Sequence, residues 1–329
     1  MTGQTEGGEL GDPAAVPILD AAAVRRLADA NLMVEALRHA FAQGCVMPVR
    51  HHHRIAVPGE ADGTLLLMPA WQEGAQAGVK IATVFPGNAG RGEPAVNATY
   101  LLFDAKTGRP RTLIDGDELT AQRTAATSVL AASYLARSNS EQLLIVGSGR
   151  IARYTALCYA RMRPQLRRIA VWSRQPDHAA RLARDLGAQT GLSVQGAPEL
   201  EAAVKAADII SCATLARTPL VFGTWLRPGT HLDLIGGFTP DMREADDTAV
   251  AKASLFADTK EAAIAEAGDF VQPLRQRLIA EDAISDLFAL CSGRHRGRRD
   301  GLEITLFKSV GAALEDLAVA ELLWRHAGR

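Results

Sequence analysis

An α/β fold in two parts is predicted by three observations on this 329-residue sequence. From residue 142 onward, short apolar runs alternate with helix-forming segments, the signature of a doubly wound parallel sheet. The first of these runs, Leu143-Leu144-Ile145-Val146, turns through Gly147-Ser148-Gly149-Arg150-Ile151-Ala152 into a helix-forming stretch. Such a strand, glycine turn and helix form a Rossmann-type dinucleotide-binding unit: the turn is tight, and the helix start offers free N–H groups to a pyrophosphate. Ala152 replaces the usual third glycine. Upstream, between residues 46 and 114, β-prone runs are separated by glycine turns too short for crossover helices, which predicts an antiparallel meander. The second part is therefore an α+β domain, and a length beyond the usual single-domain size agrees with two domains.

Each element has a local reason. Asp20 caps a helix over 21–27, and a second helix runs to about residue 43 and stops at Gly44. Strands are expected at 64–68, 79–85, 96–104 and 111–114, followed by an alanine-rich helix over 120–135 whose small residues allow close packing. The parallel strands are expected at 143–146, 169–172, 194–196, 208–212, 232–235 and 254–257, with helices such as 177–186 and 199–207 between them. Residues 292–300, rich in glycine and arginine, read as a mobile surface loop. A run at 304–307 then leads into a last helix over 310–326 with Ser309 as its N-cap. That helix comes too late for the regular alternation, so it is expected to return to the first domain and make it discontinuous. The division is residues 1–138 with 305–329, against 139–304.

Composition excludes several classes of function. A formal net charge of −1 offers nothing to nucleic acid or to an anionic membrane surface. No apolar run approaches the roughly 20 residues of a membrane span. Residues 1–16 are polar and glycine-rich without the basic-plus-apolar pattern of a secretion signal, and read as a loose tail. Cys45, Cys158, Cys212 and Cys291 have no CxxC spacing and read as reduced thiols of a cytoplasmic protein.

Few residues point to chemistry. The second strand of a nucleotide fold ends in an acid when it binds the ribose 2′-hydroxyl; here it ends in Ser173-Arg174, a hydroxyl and a guanidinium suited to a 2′-phosphate, which favours NADPH over NADH. Lys80 interrupts an apolar strand, so it either meets a partner charge or ligand or guards a sheet edge. Arg123, about one turn into the alanine-rich helix, opposes the helix dipole unless an anion lies there; its planar fork suits a carboxylate. Arg50 and Arg54 flank His51-His52-His53, and histidines that alternate along a strand cannot jointly face one metal, so no metal site is expected. Glu244, Asp246 and Asp247 read as acids charging a helix N-terminus.

Taken together, the motifs resemble the ornithine cyclodeaminase/mu-crystallin family over nearly the whole chain. They are Leu67-Met68-Pro69-Ala70, Gly78-Val79-Lys80, Pro86-Gly87-Asn88, Thr107-Gly108-Arg109-Pro110, the run from Asp115 to Ala126, the glycine turn, Ala213-Thr214, Pro228-Gly229-Thr230-His231, Gly236-Gly237 and Phe307-Lys308-Ser309-Val310-Gly311. The resemblance implies a substrate-binding and dimerisation domain around a Rossmann domain, a homodimer, and an active site in the cleft between the two. It assigns Lys80, Arg54 and Arg123 to catalysis and substrate binding, with Arg50 the less favoured register for the early-strand arginine. It assigns the cofactor to Gly147, Ser148, Gly149, Arg150, Ile151, Thr214 and Ser309, with Ser173 and Arg174 at the ribose. Cyclodeaminases carry an aspartate directly after the paired glycines; this chain has Phe238, which offers only an apolar wall. The reductase branch lacks that aspartate too, and the runs Thr83 to Ala89, Tyr100 to Asp104 and Gly237 to Met242 make the chain most similar to the Δ1-pyrroline-2-carboxylate reductase, or ketimine reductase, branch. The implied reaction is NADPH-dependent reduction of Δ1-pyrroline-2-carboxylate, or of the six-membered Δ1-piperideine-2-carboxylate, to the L-imino acid. Ornithine cyclodeaminase or alanine-dehydrogenase-like chemistry, and a non-catalytic NADPH-binding role, are the alternatives.

Overall fold

The computed structural model describes residues 15–328; most of the expected tail lies outside them. The elements run β1 (Ile18–Leu19), α1 (Ala21–Leu27), α2 (Ala30–Gln43), β2 (His51–Ile55), β3 (Gly63–Gln72), β4 (Gln76–Val84), β5 (Val96–Asp104), β6 (Pro110–Asp115) and α3 (Gly116–Leu135). Then follow β7 (Gln142–Val146), α4 (Arg150–Met162), β8 (Arg168–Trp172), α5 (Pro176–Thr190), β9 (Ser193–Gly196), α6 (Leu200–Ala206), β10 (Ile209–Cys212), β11 (His231–Leu234), α7 (Asp247–Lys252) and β12 (Ser254–Ala257). The chain closes with α8 (Lys260–Glu266), α9 (Gly268–Arg275), β13 (Ile284–Asp286), α10 (Leu287–Cys291), β14 (Thr305–Lys308) and α11 (Ala313–Ala327). The caps of the first two helices come from side chains: Asp20 accepts from the Ala23 N–H at 2.7 Å, and Asp29 from the Leu32 N–H at 3.0 Å.

Six strands form the first sheet in the order β1-β6-β5-β4-β3-β2, with β2 to β6 antiparallel, as short turns require. Its strands alternate. One face buries Met68, Ala70, Tyr100, Leu102 and Ile114 in a core shared with α2, α3 and α11, and Ala82 is buried on the same face. The other carries Leu65, Leu67, Val79, Ile81 and Leu101, which stay half-buried or exposed.

The second sheet is wholly parallel, in the order β13-β12-β14-β11-β10-β7-β8-β9. Its first strand is apolar on both faces: in β7, Leu143 and Ile145 join one cluster while Leu144 and Val146 join another. Each such side chain removed from water stabilises the fold by about 1.5–3 kcal/mol. The strand order reverses at β7 and β10, which places a ligand crevice beyond their carboxyl ends.

Four expectations are corrected. The alanine-rich helix begins at Gly116 rather than near 120, because Asp115 caps it by accepting from the Glu118 N–H at 2.8 Å. The last helix begins at Ala313, not 310: Gly311 adopts φ +83°, which ends any helical run, and the Ser309 hydroxyl donates to Asp258 at 3.1 Å instead of capping. Strand β14 pairs with β11 and β12 inside the parallel sheet, so a division after residue 304 cuts through that sheet; the chain leaves it only after Lys308. Finally, residues 292–300 are pinned. The Arg298 guanidinium donates to the Leu135 carbonyl at 2.6 Å and to Thr305 Oγ1 at 3.0 Å, capping the end of α3. Gly297, at φ +84°, lies so close that a Cβ there would sit 2.5 Å from the Tyr134 carbonyl.

Candidate active site

At the crevice the chain presents mostly backbone. Gly147, directly after β7, has φ +125°, and a Cβ on it would sit 2.5 Å from the Ala213 carbonyl after β10; only glycine serves there. Gly149 caps α4 with no side-chain hydrogen bond and with open space where its Cβ would be. The helix start therefore keeps its N–H groups free, and the cradle suits a pyrophosphate. Ser148, Arg150 and Ile151 follow the same turn, with the Arg150 guanidinium half exposed and 3.9 Å from Asp117. Ser173 and Arg174 follow β8, the neighbouring strand; Arg174 is exposed, and the Ser173 hydroxyl donates to the Gln175 carbonyl at 2.6 Å.

On the far side of the crevice, one buried carboxylate fixes two loops. Glu244 Oε1 accepts from the N–H and the hydroxyl of Thr214, at 2.7 and 2.8 Å, while its Oε2 accepts from the Gly236 N–H at 2.7 Å. Burial pushes its carboxyl up to about 7, against the pull of Lys308. Of the three acids expected at a helix start, Asp246 alone caps α7, and Asp247 in the first turn pairs with Arg243 at 2.7 Å. Below the paired glycines, Lys308 and Asp269 form a fully buried pair at 3.1 Å; a Cβ on Gly237 would meet both. Phe238, the next residue, is 47% exposed.

The side-chain end of the site is built by register. Lys80 faces Met68 on β3 and Tyr100 on β5, all on the buried face. One residue beyond the last β2–β3 pair, His51 with Leu67, Arg50 falls in line with Met68 and hence with Lys80. The Arg50 guanidinium donates to the Gly311 carbonyl at 2.9 Å and lies 3.4 Å from Glu266. Arg54, the favoured candidate from spacing, lies four residues further along β2, roughly 13 Å at about 3.3 Å per residue. It pairs with Asp62, and its side chain is 76% exposed. The structure therefore brings Arg50, not Arg54, to Lys80 and Arg123. Distance to the Met68-Pro69 motif misjudged the length of the β2–β3 turn.

Lys80 and Arg123 share a partner that sequence reasoning missed. Asp316, in the first turn of α11, is 2.7 Å from Lys80 Nζ through Oδ2 and accepts from Arg123 Nε at 2.9 Å through Oδ1. Glu315 accepts from Arg123 Nη1 at 2.5 Å. Arg123 Nη2 and Nη1 both lie against Gly311, where a Cβ would sit 2.8 and 3.0 Å from them. Arg123 is thus two turns into α3, and its anions come from another helix start rather than its own. Burial pulls the Lys80 ammonium below its usual range, with Asp316 opposing and Arg123 reinforcing. Burial pushes Asp316 up, but Arg123 and Lys80 more than reverse this, and its carboxyl sits below the usual range. Glu315 is raised to about 7 by burial. Asp258 completes the frame: its Oδ2 accepts from the Ser309 hydroxyl and from the N–H groups of Val310 and Gly311, at 3.1, 2.7 and 2.6 Å. The one signal for Asp316 and Glu315 was two acids in an otherwise apolar helix start. Among the described residues no group of three or more His, Cys, Asp or Glu could hold a metal ion, and no helix is long and apolar enough to cross a membrane.

A helix-flanked parallel sheet with a glycine-turn crevice, facing a meander that carries buried cations, defines a two-part nucleotide-binding protein. The chain belongs to the ornithine cyclodeaminase/mu-crystallin family, whose sequence profile matches residues 17–328. It is 42% identical over 294 residues to a Δ1-pyrroline-2-carboxylate reductase of Paracoccus denitrificans, covering 89% of this chain and 91% of the relative. Among solved structures, a Thermococcus litoralis Δ1-pyrroline-2-carboxylate reductase in complex with NADH and L-proline superposes with a TM-score of 0.88 at 33% identity, over 95% of this chain and 97% of that one. An archaeal alanine dehydrogenase dimer with bound NAD reaches a TM-score of 0.86 at 28% identity, over 95% and 96% of the two chains.

Proposed function

We propose that the protein is an NAD(P)H-dependent oxidoreductase acting on C=N bonds, reducing Δ1-pyrroline-2-carboxylate to L-proline and the six-membered homologue to L-pipecolate. The observation that carries this reading is the convergence of Arg50 and Arg123 on Gly311, with Lys80 tied to Arg123 through Asp316. Two buried cations, Lys80 and Arg123, beside the half-buried Arg50 guanidinium suit a substrate carboxylate. Relatives that share most of the chain carry the same activity in their names.

Arg50 and Arg123 hold the substrate carboxylate and orient the ring. Lys80 either joins in binding the carboxylate or holds the proton that the imine nitrogen takes up, since a protonated imine is the better hydride acceptor. The glycine turn, the start of α4 and Thr214 hold the dinucleotide, whose nicotinamide supplies the hydride to the imine carbon when bound. Ser173-Arg174, in place of an acid, supports a preference for NADPH. The half-exposed apolar face of the meander supports a homodimer joined across it, its test the mass in solution and its change on Ile81→Glu.

The deciding experiment is turnover of Δ1-pyrroline-2-carboxylate with NADPH and with NADH, following coenzyme oxidation and L-proline formation. The expected result is stoichiometric proline. Coenzyme binding without oxidation would make the protein a binding protein, and ammonia released from L-ornithine would make it a cyclodeaminase; Phe238, which cannot take a proton, argues against the latter.

A further inference from the structure

We propose that Asp316 is a positioning residue that joins Lys80 and Arg123 into one carboxylate-binding unit and keeps the Lys80 ammonium charged for the reaction. This rests on the reductase reading of the site. Asp316 is fully buried, and its two oxygens are divided between the two cations, at 2.7 Å to Lys80 Nζ and 2.9 Å to Arg123 Nε. Those cations come from β4 and α3, elements that meet only through the fold, and Asp316 comes from a third, α11. With Nε taken by Asp316 and Nη1 by Glu315, Nη2 is the Arg123 nitrogen that neither carboxylate takes, and both Nη2 and Nη1 lie against Gly311, 2.8 and 3.0 Å from where a Cβ would stand. Asp316 and Glu315 together thus set which edge of the guanidinium a ligand meets. Lys80 is also faced by Arg50, by Arg123, by Tyr100 from β5 and by Asp117 from the start of α3. Of its two acids, Asp316 alone makes an ion pair with it, while burial and the two guanidiniums favour the neutral amine.

Asp316→Asn keeps the shape and removes the charge; Asp316→Glu keeps the charge and moves it. With coenzyme binding and thermal melting as controls for folding, Asp316→Asn should lower kcat/KM for the cyclic imine about 10²-fold or more. Its alkaline limb of kcat/KM against pH should move down by about one pH unit or more, because Lys80 then loses its proton earlier. Asp316→Glu should leave that limb in place and recover part of the rate. A merely structural role would lower the whole profile without moving the limb, and that result overturns the proposal. A second measurement needs no substrate: urea unfolding of Lys80→Met, Asp316→Asn and the double variant. The double variant should be destabilised by clearly less than the sum of the two single losses, since each single variant leaves the other member of the pair buried and unbalanced; additive effects overturn the proposal. If the wild type fails to reduce the imine, the reductase reading falls, and the unfolding cycle alone decides for or against Asp316.

Discussion

Beyond β7 and β10 the protein offers a ligand its backbone, whereas between β4, α3 and α11 it offers side chains that are already engaged with one another. At the first end, Gly147 and Gly149 supply conformation and open space, and no side chain caps α4. At the second, Lys80, Arg123, Glu315 and Asp316 are all buried and matched in charge. A backbone cradle is cheap to leave open because water solvates it. Buried charges cannot wait unpaired, since desolvation alone costs several kcal/mol per ion. Acids from a distant helix therefore hold the cations, and under the proposed reading a substrate carboxylate would share those cations with them.

The largest expected effects fall at the side-chain end. Lys80→Met and Arg123→Leu should each lower kcat/KM for the cyclic imine by about 10²–10⁴-fold, with coenzyme affinity, measured by fluorescence titration, nearly unchanged. A comparable loss of coenzyme affinity would show that the two ends are not separable. Next comes the choice of arginine. Arg50→Ala should cost roughly tenfold or more in kcat/KM as a charge-assisted contact is lost. Arg54→Ala should stay within about twofold, because water and salt screen an exposed pair such as Arg54–Asp62. The reverse ranking would restore Arg54 as the anchor.

Asp233 tests the joint between the two regions. It is fully buried on β11 and accepts from Ser128 of α3 at 3.1 Å and Ser211 of β10 at 2.7 Å, and burial raises its carboxyl from 3.8 to about 6. Because its folded-state value is raised, the folded protein binds this proton more tightly than the unfolded chain between about pH 4 and 6. The protonated form therefore stabilises at low pH, and that contribution is lost as pH rises through about 6. At about 1.4 kcal/mol per pH unit it amounts to roughly 3 kcal/mol. Urea unfolding of Asp233→Asn should lack this slope between pH 4 and 6; a slope equal to the wild type's would show that Asp233 is ionised throughout. The last effect belongs to the backbone end. Arg174→Ala should raise KM for NADPH by about 10- to 100-fold and leave KM for NADH nearly as it was, through loss of a charge-assisted contact of roughly 1.5–3 kcal/mol. Equal changes for both coenzymes would remove Arg174 from the 2′-phosphate.

The elements legible in the sequence were those whose cause is local. Asp20 and Gly44 announced the ends of the first helices, and Leu143 to Ala152 announced the nucleotide unit, because caps, glycine turns and apolar periodicity act within a few residues. Lys80 and Arg123 were visible as charges out of place, with a partner demanded but unidentified. Only the tertiary structure decided that the partner is Asp316, more than 190 residues away from each cation. It also decided that Arg50 rather than Arg54 lines up with Lys80, since strand register depends on turn length and pairing, not on distance along the chain. The same holds for β14. Its apolar run is as local as any other, but its place between β11 and β12 is a matter of which neighbours bury it. Local propensity sets what an element is, and long-range burial of charge and apolar surface sets what it touches.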